Sequence, residues 1–486
     1  MKLPGYVALS ALSWTGSAFH TSSSDTFIYD KHERVSFFHG TNLVQKGYPW
    51  YPEALMDPEH IKDIKSWGFN TLRLGVMWSG VEPELGQFNE TYISIIDGIL
   101  NNCEDNGIHV LIDVHQDVLS SYFCEYDGAP TWLVDLSTSS EKEFPWPLPG
   151  ECSDRPWGSN YLAEATGAAF QDLYDNVNGM RTHFGHFWNK VASSFKDKDI
   201  LGYEIINEPW AGNIYKDPSL LLPGNAGSKN LQPLYDDIQG YIRAADAEHL
   251  VFYEPVTWGM IFNGTVSGSG FDHVPGGKQY ADKSVFSFHY YCWWYTDGEG
   301  MEKRTCDDRF GPKVFDESME NARVLGGSAM LTEWGQGCDP TNGMTEECNA
   351  IMDMADERLV SWIDWYWTGE VMSWTQSDAA IATYSRTFAQ AVAGIPTKMH
   401  YDATTKDFDL CFNVNASITQ PTEIYANFDV HYPEGVTVTT TGSATDMSVT
   451  VDAANNMIYV LYTGIGGARG DRTTDLDCCV HVSKKA

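Results

Sequence analysis

Two glutamates carry the clearest chemistry in this chain. Glu208 lies in LGYEIINEPW and Glu333 in AMLTEWGQG, 125 residues apart. Each closes a short apolar run that reads as a buried parallel strand. Two carboxyl groups break a glycosidic bond with retention when one protonates the leaving oxygen and the other, about 5–5.5 Å away, attacks the anomeric carbon. A lone Glu after a strand is ordinarily a solvated loop charge. Here Asn207 and Pro209 flank Glu208, and Trp334 follows Glu333, which favours a pocket over solvent.

Other polar residues sit at strand ends. Arg73 in TLRLG, buried on a strand, must be paired, either with a catalytic carboxylate that it keeps ionised or in a structural ion pair. His115 and Asp117 in IDVHQD can exchange hydrogen bonds with sugar hydroxyls, and the Asn207 amide suits a sugar 2-hydroxyl. His289 and Tyr291 close a sixth strand, where a tyrosine hydroxyl could hold the nucleophile until attack. Trp365 closes the last strand as a flat apolar floor.

Eight strands are expected to position these groups: Ser36–His39, Thr71–Gly75, Val110–Val114, Gly202–Ile206, Leu250–Glu254, Val285–His289, Met330–Thr332 and Trp362–Trp365. Helical patterns alternate with them at Pro58–Trp67, Thr91–Asn106, Tyr161–Phe195, Leu231–Ala245, Lys313–Leu325, Glu346–Arg358 and Asp378–Ala391. Strict alternation predicts an α/β fold, a (β/α)8 TIM barrel, whose strand ends bring sequence-distant carboxylates together. The long connections Leu119–Ser159 and Tyr290–Gly311 should cover the active face. From Met399 onward short alternating runs predict a C-terminal β-sandwich. The expected division is a signal peptide over 1–20, a barrel over 21–394 and a sandwich over 395–486.

Composition narrows the function. Against 31 Lys+Arg stand 66 Asp+Glu, a formal net charge of −35, which disfavours nucleic acid and anionic membrane surfaces as partners. The leader MKLPGYVALSALSWTGSAFH and the sequons at Asn89, Asn263 and Asn415 predict a secreted, glycosylated protein, or one sent to a lysosomal or digestive lumen. Ten cysteines then read as disulfides, with Cys124–Cys152, Cys292–Cys306 and Cys338–Cys348 as short-loop pairs. Neither a CxxC nor an HExxH occurs, so no metal site or cofactor is expected.

Taken together these residues resemble glycoside hydrolase family 5. The pattern is carried by Arg73, His115, Asn207-Glu208-Pro209, His289, Tyr291, Glu333 and Trp365. A narrower resemblance to the endoglycoceramidases rests on HGTNLVQKGYPWYP at 39–52, HQDV at 115–118, GAPTW at 128–132, FWN at 187–189 and AVAGIPTKMHYDATTKDF at 391–408. It implies retaining hydrolysis of the β-bond between oligosaccharide and ceramide, with Glu208 as acid/base, Glu333 as nucleophile, and Lys46 and Asp117 binding the sugars beside the ceramide. Glycosphingolipid is then the expected partner, with peripheral contact at lipid micelles or membranes and no stable protein partner. Trp146, Trp157, Trp210, Trp293 and Trp294 either line an apolar half-site or pack the long loops. The alternatives are a relative acting on galactosylceramide, steryl glucoside or a β-glucan, and a carbohydrate-binding protein without activity.

Overall fold

The computed structural model describes residues 19–124, 127–256, 261–262, 265–292, 306–335, 338, 345–368, 378–464 and 476–485. Eight parallel strands close into a barrel in chain order: His39–Val44, Thr71–Gly75, His109–Asp113, Ile200–Glu204, Leu250–Tyr253, Ser284–Tyr290, Ser328–Trp334 and Ser361–Thr368. The last pairs with the first, Trp362 opposite His39. The expected first strand, Ser36–His39, straddled two elements: Val35–Ser36 belongs to another sheet, and the barrel strand begins at His39. Val35-Ser36-Phe37-Phe38 runs straight up to His39 with no turn residue between the two elements, so hydrophobicity alone does not mark the break.

Alternation along the strands separates the barrel's layers. Leu72 and Leu74, or Phe286, Phe288 and Tyr290, join the core shared with the helices. Leu111, Leu250, Phe252, Val285, Met330 and Ile363 form a separate buried cluster that fills the barrel floor. Two residues further along the same inward faces come Asp113, Glu254 and Ser287, so the interior turns from apolar to polar toward the C-terminal ends. Helices Pro58–Ser66 and Glu90–Asp105 start at Asp57 and Asn89, whose side chains accept backbone N–H bonds, and the second buries Tyr92, Ile96, Ile99 and Cys103 at helical spacing.

The single helix expected over Tyr161–Phe195 is instead Glu164–Tyr174 and Met180–Phe195. Asn176, Asn178 and Gly179 all take positive φ between them, a conformation that ends one helix and re-aims the next.

The second domain packs two antiparallel sheets. One orders Gly394–Tyr401, Phe408–Val414, Asp477–Lys484 and Val436–Thr441. The other orders Phe19–Thr21, Ile28–Asp30, Val35–Ser36, Phe388–Val392, Thr422–Tyr425, Met457–Tyr462 and Met447–Asp452. Both expected boundaries therefore move. Phe19 and His20, assigned to the leader, sit in a strand, with Phe19 buried; residues 19–36 contribute strands to the sandwich sheet, and Phe19 and Ile28 pack into the cluster at the barrel floor. The helix expected over Asp378–Ala391 stops at Tyr384, and Phe388–Val392 pairs with Thr422–Tyr425.

The domains meet beneath the barrel. His39 stacks between Trp362 and Phe388, with ring centroids 4.2 and 3.7 Å away, and burial keeps its imidazole neutral. Arg386 pairs with Asp353 and Asp356 of helix Thr345–Glu357, and Tyr425 donates to the Ser66 carbonyl at the end of Pro58–Ser66.

The three expected disulfides are present, all in segments that follow barrel strands, together with Cys411–Cys479 across two neighbouring sandwich strands. Not all ten cysteines pair. Cys103 is buried on Glu90–Asp105, and Cys478, adjacent to Cys479 but on the opposite face of its strand, lies in the sandwich core. Of the sequons, Asn89 caps a helix, Asn415 is exposed in a turn, and Asn263 lies outside the described residues.

Candidate active site

Arg73 organises the top of the barrel. Fully buried on the second strand, it bonds Glu204 through Nε, Asn42 and Glu333 through one terminal nitrogen, and Asn207 through the other. Asp113 Oδ1 and Glu254 Oε1 lie 3.1 and 3.6 Å from that second nitrogen. Five carboxylates thus surround one guanidinium, counting Glu208 just above. So many charges cannot all ionise in a dry interior, and burial pushes Asp113 and Glu254 well above the usual carboxylate range.

Glu333 sits on the seventh strand after a register shift between Phe288 and His289 in the sixth. The Tyr291 hydroxyl donates to its Oε1 at 2.6 Å and Arg73 to its Oε2 at 3.1 Å. Glu208 follows the fourth strand in a left-handed conformation, φ 38°, that a side-chain-bearing residue adopts only when held. Gln116 bonds its carbonyl at 3.0 Å, and its N–H donates to Glu254 Oε2 at 3.2 Å. His289 Nδ1 lies 2.8 Å from Glu208 Oε1 and 3.8 Å from Glu333 Oε2. The facing atoms of Glu208, His289 and Glu333 all fall within 4.8 Å of one another. That is the close carboxyl spacing of a retaining site rather than the wider gap an inverting site needs for water.

Burial, reinforced by the Asp117 charge, raises Glu208 to about 7. Glu333 is also raised by burial, against the opposing pull of His289, Arg73 and the Tyr291 hydroxyl. A dyad with opposite shifts would be simpler; here the same desolvation acts on both, and bonding distinguishes them. Burial lowers His289 to about 4, so it stands neutral between them.

Two unlike walls flank this centre. On one side Lys46 Nζ bonds Asp117 Oδ2, His115 Nδ1 lies 2.9 Å from Asp113, and Asp127 closes the cluster beside Asp117. Trp365 stacks on His115 at 5.0 Å and carries Lys46 at 4.9 Å from its ring centre, so its floor is already partly covered. One Asn207 N–H is spent on the Gln116 carbonyl. Adjoining this polar wall, with the Trp157 ring 5.9 Å from Lys46 Nζ, lies an apolar cleft of about 430 Å³, lined by Pro156, Trp157, Tyr161, Leu162, Trp210 and Glu208 itself.

Its wall comes from the long connection after the third strand. That loop is pinned by Cys124–Cys152, by Arg155 on Asn160, and by the buried Glu164 carboxylate, which accepts from Ser140 and the Lys142 backbone. Most of the second long connection, with Trp293 and Trp294, lies outside the described residues.

Sequence reasoning missed Asp113, Gln116, Asp127, Glu204 and Glu254. Glu254 carried a usable signal, since it ends a short apolar run as Glu333 does, and Glu204 stood out only as a charge inside the apolar run Gly202–Ile206. His115, Asp117 and Asp127, and likewise Glu204, Glu254 and His289, are the remaining groupings able to take a cation among the described residues; Lys46 and Arg73 already neutralise them.

Residues 29–371 match the cellulase model of glycosyl hydrolase family 5, and residues 386–468 match the C-terminal domain of the same family. The endoglycoceramidase of Cyanea nozakii is 36% identical over 447 residues, 85% of each chain. That of Hydra vulgaris is 36% identical over 442 residues, covering 84% of this chain and 80% of its own. Endo-glycoceramidase II from Rhodococcus sp. superposes with a TM-score of 0.74 at 22% identity, over 95% of this chain and 100% of that one. The Rhodococcus enzyme is also known as a ganglioside GM3 complex and as a lactosyl-enzyme intermediate, each with a TM-score of 0.72 at 20% identity over the same shares. Fold, paired carboxyls and sequence agree: the chain belongs to glycoside hydrolase family 5, where it groups with the endoglycoceramidases.

Proposed function

We propose that this glycoside hydrolase cleaves glycosphingolipids between oligosaccharide and ceramide, with Glu208 as acid/base and Glu333 as nucleophile. One observation carries the reading: the close pair of carboxyls stands where a polar wall meets an apolar cleft, and Glu208 itself lines that cleft. An acid that protonates the leaving oxygen must face the aglycone. Glycan would lie along Lys46, His115, Asp117 and Trp365, and ceramide along Trp157, Leu162 and Trp210.

Glu333, ionised and held by Tyr291 and Arg73, attacks the anomeric carbon while Glu208 gives its proton to the departing ceramide oxygen. Water then enters, Glu208 takes its proton, and the glycosyl ester on Glu333 is hydrolysed with the β-configuration restored. A glucan-cleaving enzyme would use sugar-binding polar groups on both sides of the dyad, whereas the cleft that Glu208 lines is apolar.

Beyond the cleft the apolar surface continues outward. Tyr215 donates to the Leu162 carbonyl and packs against Trp146, and Trp146, Trp157, Leu162 and Tyr215 are each about two-fifths exposed. This ridge is the part of the reading that extends to a lipid aggregate, the source of the substrate. The leader and disulfides support a secreted or lumenal setting.

The test is to assay the purified protein on fluorescent ganglioside, lactosylceramide and carboxymethyl-cellulose, with the product anomer followed by NMR. Intact β-glycan released from the two glycolipids is expected. Preference for the soluble glucan, or an inverted product, would overturn the proposal.

A further inference from the structure

Beneath Glu208 lies a buried carboxyl group that the mechanism above does not use. Glu254 follows the fifth strand, Leu250–Tyr253, with its side chain about 1% exposed. Oε2 accepts the Glu208 backbone N–H at 3.2 Å, and Oε1 faces His289 Nε2 at 3.4 Å, neither of these two buried atoms having a hydrogen-bond partner elsewhere among the described residues. The other nitrogen of that imidazole meets Glu208 Oε1 at 2.8 Å. The Tyr235 hydroxyl bonds the Glu254 carbonyl at 2.7 Å and fixes its backbone. The charged groups around Glu254 are Arg73, Glu204, Glu208, Asp113 and His289.

We propose that Glu254 is a positioning residue for the acid: its carboxyl group holds the strained Glu208 backbone through one oxygen and, through the other, sets the tautomer of His289 so that the Glu208 proton sits on the oxygen facing the leaving group. This rests on the assignment of Glu208 as acid.

The line Glu254, His289, Glu208 shares a countable set of protons. A neutral imidazole has one N–H. If Glu254 is a neutral acid, its O–H donates to Nε2 and Nδ1–H donates to Glu208 Oε1. Oε1 is then an acceptor, and the Glu208 proton must sit on Oε2, free to reach the glycosidic oxygen. If Glu254 were ionised, Nε2–H would point down to it and bare Nδ1 would draw the Glu208 proton onto Oε1, away from the scissile bond. Burial and the Glu204 charge favour the neutral Glu254, and the lowered His289 basicity keeps the imidazole neutral. No proton moves along the line during turnover, because Nδ1–H donates to Glu208 whether Glu208 is acid or carboxylate.

Glu254→Gln copies the neutral acid: its amide donates to Nε2 and its oxygen accepts the Glu208 N–H. It should keep kcat on lactosylceramide within about threefold of wild type. Glu254→Leu removes both contacts and should lower kcat at least about a hundredfold on lactosylceramide, yet less than about tenfold on an aryl β-lactoside whose leaving group needs no proton. Nitrogen-15 chemical shifts of His289 should report protonated Nδ1 and bare Nε2 in wild type and in Glu254→Gln.

A Gln variant as impaired as Leu, a loss independent of the leaving group, or a protonated Nε2 in wild type would each overturn the proposal. If the Leu variant fails to fold, the Gln kinetics and the nitrogen shifts still decide. Glu208→Ala assayed alongside isolates the underlying assumption: if it lacks the same leaving-group dependence, the assignment of the acid fails rather than the role of Glu254.

Discussion

The two walls of the barrel mouth solve recognition in opposite ways. His115, Asp117 and Asp127 are buried polar groups clustered around the part-buried Lys46, and their arrangement is costly to assemble and intolerant of change. Trp157, Leu162 and Trp210 offer area without direction, from a loop whose own hydrogen bonds set its shape. Fixed donors and acceptors suit a glycan with defined hydroxyls; undirected apolar area suits an acyl chain. Glu208 belongs to both, lining the apolar cleft while feeling the Asp117 charge across the mouth.

The largest effect removes the chemistry and leaves both walls standing. Glu333→Gln keeps a group of the same size for Tyr291 and Arg73 to contact, so the fold should persist by circular dichroism. Its kcat should fall by at least about four orders of magnitude on every substrate. Titration with lactosylceramide should still saturate. Residual turnover near wild type would mean that another residue attacks.

Next comes the polar wall. Asp117→Asn or Lys46→Ala breaks a part-buried pair and leaves one charge without its partner, at a cost below the roughly 3–5 kcal/mol of a fully buried pair. We expect kcat/KM to drop about a hundredfold or more, equally on lactosylceramide and on an aryl lactoside, since both place the same sugars there. A loss confined to the ceramide substrate would put the glycan on the wrong side.

The same pair sharpens the comparison through pH. Glu208 must be protonated to act, and it stands at about 7, so rate should fall as pH rises through that value. Glu333 must be ionised, and burial raises it, so rate should also fall on the acid side, from above the ordinary glutamate value. Asp117 raises Glu208 and Lys46 lowers it. Asp117→Asn should therefore move the basic limb to lower pH and Lys46→Ala to higher pH, each by a few tenths to about one unit. Full kcat/KM profiles check the signs, and shifts in the same direction would show that the walls are not coupled through Glu208.

How much of this was legible in the sequence differs between residues. Barrel strands announce themselves as apolar runs closed by a polar residue, which is why Glu208, Glu333 and His289 stand out, while Arg73 stands out as a charge between two leucines inside such a run. Glu254 closes a run and Glu204 lies inside one, but both lack flanking residues as distinctive as Asn207 or Trp334. Asp127 was not legible, because its place beside Asp117 depends on the loop turning back at Gly128, φ 116°, where Ser120 pairs with Ala129. The strands over residues 19–36 are two or three residues long, and the sheet they form joins the sandwich only through Val35–Ser36, whose partner Phe388–Val392 lies some 350 residues away, beyond any periodicity. The break near Asn176 was legible: Asn178-Gly179 is a turn signal that the surrounding helical pattern overrode.

The smallest effect tests the apolar wall by selectivity rather than size. Leu162 is 44% exposed, so truncation removes only part of its contact area. At about 0.8 kcal/mol per buried methylene, Leu162→Ala should cost about 1 kcal/mol, roughly fivefold in kcat/KM. That loss should appear with long-chain ceramide and vanish with a methyl or aryl aglycone, because only binding energy from the aglycone is missing. Trp157→Ala should lose more and discriminate less. Its ring lies 5.9 Å from Lys46 Nζ, so removing it disturbs the polar wall as well and should impair short aglycones too. The ratio of ceramide to aryl-lactoside efficiency separates the two: lowered clearly by Leu162→Ala, lowered less by Trp157→Ala, and unchanged by Asp117→Asn. If all three variants left the ratio unchanged, the cleft beside Glu208 would not be holding the lipid.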